Sequence, residues 1–162
     1  ASKVKLINNL LVAVHMAATG EAMALALKTG VDIDLLIKAV AAGSGGSTQF
    51  GIRAPMMAQE QFLPAMGTAV TISHYFELIG DLADRAGVAT PMLDRAAELY
   101  AQCIDMGLGE HDNAVMVEVI RRLPRRRAQA KARKAKPKAG KSSKKAVRKK
   151  AARKSKSRGR KR

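Results

Sequence analysis

Apolar residues recur along the first 120 positions with helical rather than alternating spacing. Between Lys3 and Leu27 they fall on nearly every face: Leu6, Ile7, Leu10, Leu11, Val12, Val14, Met16, Leu25 and Leu27. The stretch contains Ala, Leu, Met, Lys and Glu and no Pro, so it predicts one long helix. A helix that is apolar all round is expected to be buried. It should stop near Thr29, with Gly30 as a left-handed cap. Asp32 then caps a second helix over 33–42. Ser47 caps a short helix reaching 53–57, which Pro55 should kink or delay. Phe62-Leu63-Pro64 reads as a turn. A third long helix is predicted from Thr68 to Ala86, striped by Val70, Phe76, Leu78, Ile79, Leu82 and Ala83 and closed by Gly87. Thr90 and Pro91 open a fourth, with Pro91 in the first turn, where its missing N–H costs nothing; it runs to about Met106 and ends at Gly107. Asp112 caps a last helix from Asn113 to about Arg122. No segment alternates over a useful length, so the body is predicted to be all-α.

Polar residues interrupt the first helix at a telling spacing. Lys5 and Asn9 lie four apart, on one face and one turn from each other. Such a pair can hold an anionic or hydroxylated small molecule. It can equally be a snorkelling lysine beside an amide satisfied between helices. Gly43-Ser44-Gly45-Gly46-Ser47 is a loop by composition, either a connector or an amide cradle; no strand precedes it and no Gly-Lys-Ser/Thr follows, so it is not a P-loop. Ser44 and Ser47 have no neighbouring His and Asp to make a nucleophile. Glu110, His111 and Asp112 are adjacent, a poor geometry for one ion, and read as cap chemistry; no metal site is expected.

Charge divides the chain. Residues 1–120 hold 7 Lys+Arg and all 13 Asp+Glu; residues 121–162 hold the other 23 Lys+Arg and no acid. The body is therefore mildly acidic, which argues against its own surface binding nucleic acid. The tail has almost no large apolar side chain and is expected to be disordered in isolation. This sets the domains at 1–122 for the helical body and 123–162 for the tail. A charge run of this density should bind polyanions by counterion release, and with no aromatic residue it should not read single strands. In composition alone it resembles linker-histone tails. Cys103 is the one cysteine, so no internal disulfide forms, in keeping with a reducing, cytoplasmic setting. No uninterrupted apolar run reaches the roughly 18 residues of a membrane span, so no membrane partner is expected. The first residue is Ala, which suggests a start inside a longer product.

Lys5-Leu6-Ile7-Asn8-Asn9, Glu21-Ala22-Met23-Ala24-Leu25-Ala26 and Gly30-Val31-Asp32 resemble the β-hydroxyacid dehydrogenase family. That family includes 3-hydroxyisobutyrate, tartronate semialdehyde and threonate-type dehydrogenases, with 6-phosphogluconate dehydrogenase as a distant relative. The resemblance is to its C-terminal all-helical domain and covers essentially the whole body. Gly43 to Ser47, Ala86-Gly87-Val88 before Pro91, Leu99-Tyr100, and Gly107 with Asp112 are weaker matches. The resemblance implies that Lys5 is the catalytic acid/base and that Asn9 holds the substrate. It also implies NAD or NADP as cofactor, a small hydroxy acid as substrate, and a homodimer. The family's second lysine, near the nicotinamide, falls on His74 here, which makes His74 the candidate cofactor contact. No Gly-x-Gly-x-x-Gly follows a strand in these residues, so the family's Rossmann domain is expected on a preceding segment and this chain alone should be inactive. The rival reading is a non-enzymatic helical scaffold whose tail binds DNA or RNA non-specifically.

Overall fold

The computed structural model describes residues 1–124 of the 162. They form α1 (Lys3–Thr29), α2 (Ile33–Ala42), α3 (Thr48–Ala58), α4 (Ala69–Ser73), α5 (Phe76–Ala86) and α6 (Pro91–Asp105), then a 3-10 turn (Asn113–Val115) running into α7 (Met116–Arg122). No strand occurs among the described residues, and the body is all-α as predicted. The expected disorder and nucleic-acid binding of the basic tail concern residues that lie outside the described ones, apart from its first two.

Local chemistry sets most helix limits. The Ser2 hydroxyl accepts from the Lys5 N–H, and Gly30 closes α1 at φ 72°. Such a positive φ favours glycine. Asp32 and Ser47 cap α2 and α3 by accepting from the N–H of Leu35 and Phe50. Contrary to the expected late start, α3 begins at Thr48 and runs through Pro55. Its Gly51 carbonyl simply lacks the usual donor.

α1 is the axis of the bundle, packed against α3, α6 and α7. Its inner stripe, Ala13, Met16, Gly20 and Met23, meets Phe50, Met57, Leu99, Met116, Val117 and Val119. Gly20 allows a close crossing: a Cβ there would sit 3.2 Å from the Met116 backbone carbonyl carbon. The expectation that α1 is buried on all sides fails. Val4, Ile7, Leu11 and Leu25 are exposed, Ile7 by 54% and Leu11 by 48%, because the other helices among the described residues leave that face of it uncovered. Judged by mean hydropathy, 1.7, rather than by an unbroken run, α1 is long and apolar enough to cross a membrane. In the bundle its buried stripe is instead the centre of the core.

The predicted third long helix is two helices. Ser73 Oγ donates to the Val70 carbonyl at 2.7 Å, and the Tyr75 N–H turns back to Ile72 rather than to Thr71. A hydroxyl competing for a helix carbonyl weakens the turn that carries it. The chain swivels at His74-Tyr75, and Phe76 then packs edge-on against Tyr100, ring centroids 5.2 Å apart.

Candidate functional site

At the N-terminal end of α1 the stretches 62–70 and 109–113 are zipped together. Asp112 N–H donates to the Phe62 carbonyl, Asn113 N–H to Gly67, Ala69 N–H to His111 and Val70 N–H to Gly109. The carboxylate of Asp112 lies inside this join and is fully buried. It accepts from Arg53 Nε at 3.3 Å, Met66 N–H at 2.9 Å, Gly67 N–H at 3.3 Å and Ala114 N–H at 2.9 Å. Asp112 was expected to act as a helix cap. It does cap the last turn, but it also holds a buried cation and a loop.

Beside this knot opens a cavity of about 200 Å³. Lys5, Asn9 and Val12 contribute from α1, Gln49 and Arg53 from α3, Gly67, Thr68, Thr71, Ile72 and Tyr75 from the α4 region, and Asn113 from the last turn. The two residues singled out by their spacing therefore share one wall. Lys5 is exposed and Asn9 is only 4% exposed. Asn9 Oδ1 receives a long 3.5 Å contact from Asn8 Nδ2. Its side chain makes no interhelical hydrogen bond among the described residues, so the satisfied interhelical amide is not what the fold builds. His74 stands apart, exposed at the end of α4 and outside the cavity lining, where Thr71 and Tyr75 face it instead. The Gly43 to Ser47 loop also lies away from this lining. Its Gly46 is needed for close packing, since a Cβ would come 2.8 Å from the Val40 carbonyl oxygen.

Several lining residues escaped the sequence reading, Gln49, Arg53 and Asn113 among them. Arg53 could have been noticed. It lies on the same face as Phe50, Ala54 and Met57, the buried stripe of α3. A cation on a core-facing stripe asks for a buried anion, here Asp112. Asn113 had no comparable signal.

A larger hollow, about 430 Å³, opens between α2 and α3 and is walled partly by Asp32, Asp34, Lys38 and Gln59. No unpaired buried polar atom faces it among the described residues, and none of the candidate residues lines it. No three His, Cys, Asp or Glu side chains converge among the described residues. Away from the cavity, burial pushes the Cys103 thiol up to about 11. Burial also carries the Tyr100 phenol far above its usual range, aided by Cys103 and Asp112 and opposed by Arg53.

Residues 1–120 match the family described as NAD-binding of NADP-dependent 3-hydroxyisobutyrate dehydrogenase. The L-threonate dehydrogenase of Cupriavidus necator is 30% identical over 118 residues, 73% of this chain and 39% of that protein. Among solved structures, a 3-hydroxyisobutyrate dehydrogenase from Salmonella typhimurium superposes with a TM-score of 0.68 at 26% identity, covering 73% of this chain and 41% of that one. The Mycobacterium tuberculosis 3-hydroxyisobutyrate dehydrogenase shares the fold, with a TM-score of 0.65 at 22% identity, over 73% of this chain and 42% of that one. A helical body of this architecture matches the helical part of these dehydrogenases. The chain belongs to the 3-hydroxyisobutyrate dehydrogenase-like family, whose cofactor is NAD or NADP. It spans about two fifths of the length of the curated relatives it matches.

The cavity tests how much of that cofactor these residues fit. Pockets that enclose drug-sized ligands run to about 300–1,000 Å³, so a cavity of about 200 Å³ is too small for a whole dinucleotide. Its polar lining fits a small acid, or one end of the cofactor at most.

Proposed function

We propose that this chain forms the substrate-side helical part of an NAD- or NADP-dependent dehydrogenase that interconverts a small hydroxy acid and its oxo acid or semialdehyde. The observation that carries this is the shared cavity: Lys5 and Asn9, picked out by spacing, line it together with the buried cation Arg53. The Arg53 guanidinium suits a carboxylate, and the size of the cavity suits an acid of a few carbons. The nicotinamide, when bound, accepts the hydride. Loss of hydride from carbon requires loss of the hydroxyl proton, so a positioned base lowers the barrier. Lys5 takes that role, exchanging the proton at Nζ. The Asn9 carboxamide orients the acid, and the Arg53–Asp112 pair fixes the wall opposite α1. His74, exposed at the swivel, is the residue left to meet the cofactor from this side.

The rest of the cofactor calls for a dinucleotide-binding domain outside this chain. Val4, Ile7, Leu11 and Leu25 form an exposed apolar stripe on α1, which such a domain or a second copy in a homodimer would cover. By itself this chain is then inactive. The complete gene product should reduce NAD or NADP with at least one acid from a small hydroxy-acid panel, and the 162-residue chain with none. Lys5→Ala should lower kcat/KM by about 10²–10⁴-fold with circular dichroism and melting unchanged. Full activity in Lys5→Ala would sink the assignment.

Charge favours a second property. Residues 121–162 hold 23 Lys+Arg, no acid and no aromatic residue. Such a segment binds a nucleic-acid backbone without reading bases, and log K should fall linearly with log salt. Removing residues 124–162 should abolish both affinity and slope. Their survival would place the binding in the acidic body instead.

A further inference from the structure

The outer face of α1 carries a pattern of its own. Val4, Ile7, Leu11, Val14 and Ala18 recur at alternating steps of three and four residues, and Glu21, Leu25 and Lys28 continue the series. All are exposed except Val14, which is half-buried. The buried stripe of the same helix, Asn9, Ala13, Met16, Gly20 and Met23, faces the opposite way. An apolar series with this spacing, kept up over about three heptads, is the seam along which two helices pair. Lys5 and Asn9 lie on another side of the helix from Leu11, so a helix seated on the seam leaves the cavity open. The seam is also complementary to itself. In an antiparallel pair Leu11 meets Val14 at the two-fold axis, Ile7 meets Ala18, and Glu21 meets Val4, each contact made twice. Glu21 then stands over the first turn of the other α1. That turn holds Lys3 and no acid, and the positive end of its helix dipole favours one. Other arrangements lack this match. Sliding forward by one heptad puts Lys28 over the positive helix end and Glu21 against Leu11. Sliding back carries Ala18 and Glu21 past the end of the other helix. A parallel pair sets Glu21 beside Glu21 and Lys28 beside Lys28, and like charges repel.

We propose that two copies of this chain pair antiparallel through the outer stripe of α1, with Leu11 and Val14 at the two-fold axis and Glu21 of each copy on the first turn of the other. The occupant of the stripe is thus a second copy of the same chain. Leu11 and Val14 supply the dry centre of the interface, and the two Glu21 contacts fix direction and register. This stands apart from the dehydrogenase reading: a dimer of this form without any activity leaves it intact, and activity in a monomer sinks it alone.

The test measures mass in solution by light scattering on the full 162-residue chain, nuclease-treated so that no nucleic acid bridges the basic segments. At about 100 µM, where even a weak interface is populated, wild type should be a dimer. Leu11→Glu puts a charge at the centre of the seam and should raise the dimer Kd about 100-fold or more, with helical circular dichroism kept because Leu11 is exposed in the single chain. Glu21→Lys should raise it about 10-fold, and adding Lys3→Glu should restore it. Direction is read by mild oxidation of single-cysteine variants, Cys103 being buried. Ile7→Cys mixed with Ala18→Cys should give a cross-linked pair, and Ile7→Cys alone should not. A monomer at this concentration, or a dimer indifferent to Leu11→Glu, would overturn the proposal. So would self-coupling of Ile7→Cys, which would mean a parallel pair, or a double charge variant no better than Glu21→Lys. Sedimentation of monomer with phosphatidylcholine vesicles, lost in Leu11→Glu, would assign the stripe to a lipid surface instead.

Discussion

The two ends of α1 bury different chemistry. From Ala13 to Ala26 the helix buries mostly methionines and alanines, with Thr19 and Gly20 between them, against Phe50, Met57, Leu99 and the α7 valines. Around Lys5 and Asn9 it borders a cation, a carboxylate and the Asn113 amide, held by hydrogen bonds between residues up to 59 apart in sequence. The apolar end is non-directional, since packing of about the right volume stabilises it. The polar end is directional and fails when one partner goes. The site is built where the fold is most exacting.

The largest effect should come from breaking the polar knot. Asp112→Ala strands Arg53 and leaves the Met66, Gly67 and Ala114 N–H groups short of an acceptor, so it should cost about 3–5 kcal/mol in denaturant unfolding. Arg53→Met should cost clearly less, because three backbone donors still satisfy the carboxylate. Equal losses would mean that the ion pair, and not the amide cradle, holds the knot.

The apolar end should show itself at high pH. The Cys103 thiol, raised by burial to about 11 from 9.0, stays neutral in the folded state while the unfolded chain ionises. Its contribution is fully present below pH 9 and is lost as pH rises toward 11. About 1.4 kcal/mol per unit over two units gives a loss of about 2–3 kcal/mol. Tyr100, raised in the same direction, adds its own loss above pH 10. Cys103→Ala should flatten the 9–11 part of the stability profile relative to wild type. An unchanged profile would show that the thiol is not held neutral.

The smallest effect tests a purely local feature that belongs to neither end. Ser47→Ala removes the acceptor for the Phe50 N–H and should cost about 1 kcal/mol, measured by thermal melting. A loss as large as that of Asp112→Ala would mean that α3 start and knot are coupled.

The sequence by itself determined what depends on neighbours a few residues apart. Gly30 adopts the left-handed cap expected of it, at φ 72°, and Gly87 closes its helix where expected, at φ 67°. Asp32 and Ser47 cap the helices they head, and Pro91 opens α6. Thr90 holds the expected cap position, though its hydroxyl makes no cap bond. Lys5 and Asn9 were legible as a pair because one helical turn fixes their common face. Tertiary structure alone decided the rest. α1 is so evenly apolar that no periodicity distinguishes the face meeting α3, α6 and α7 from the stripe of Val4, Ile7 and Leu11 left outside. The break at His74 depends on one hydroxyl and on where Phe76 finds Tyr100. Arg53, Asp112 and Asn113 meet across some 60 positions of chain, and only closure of the bundle brings such groups within hydrogen-bond reach.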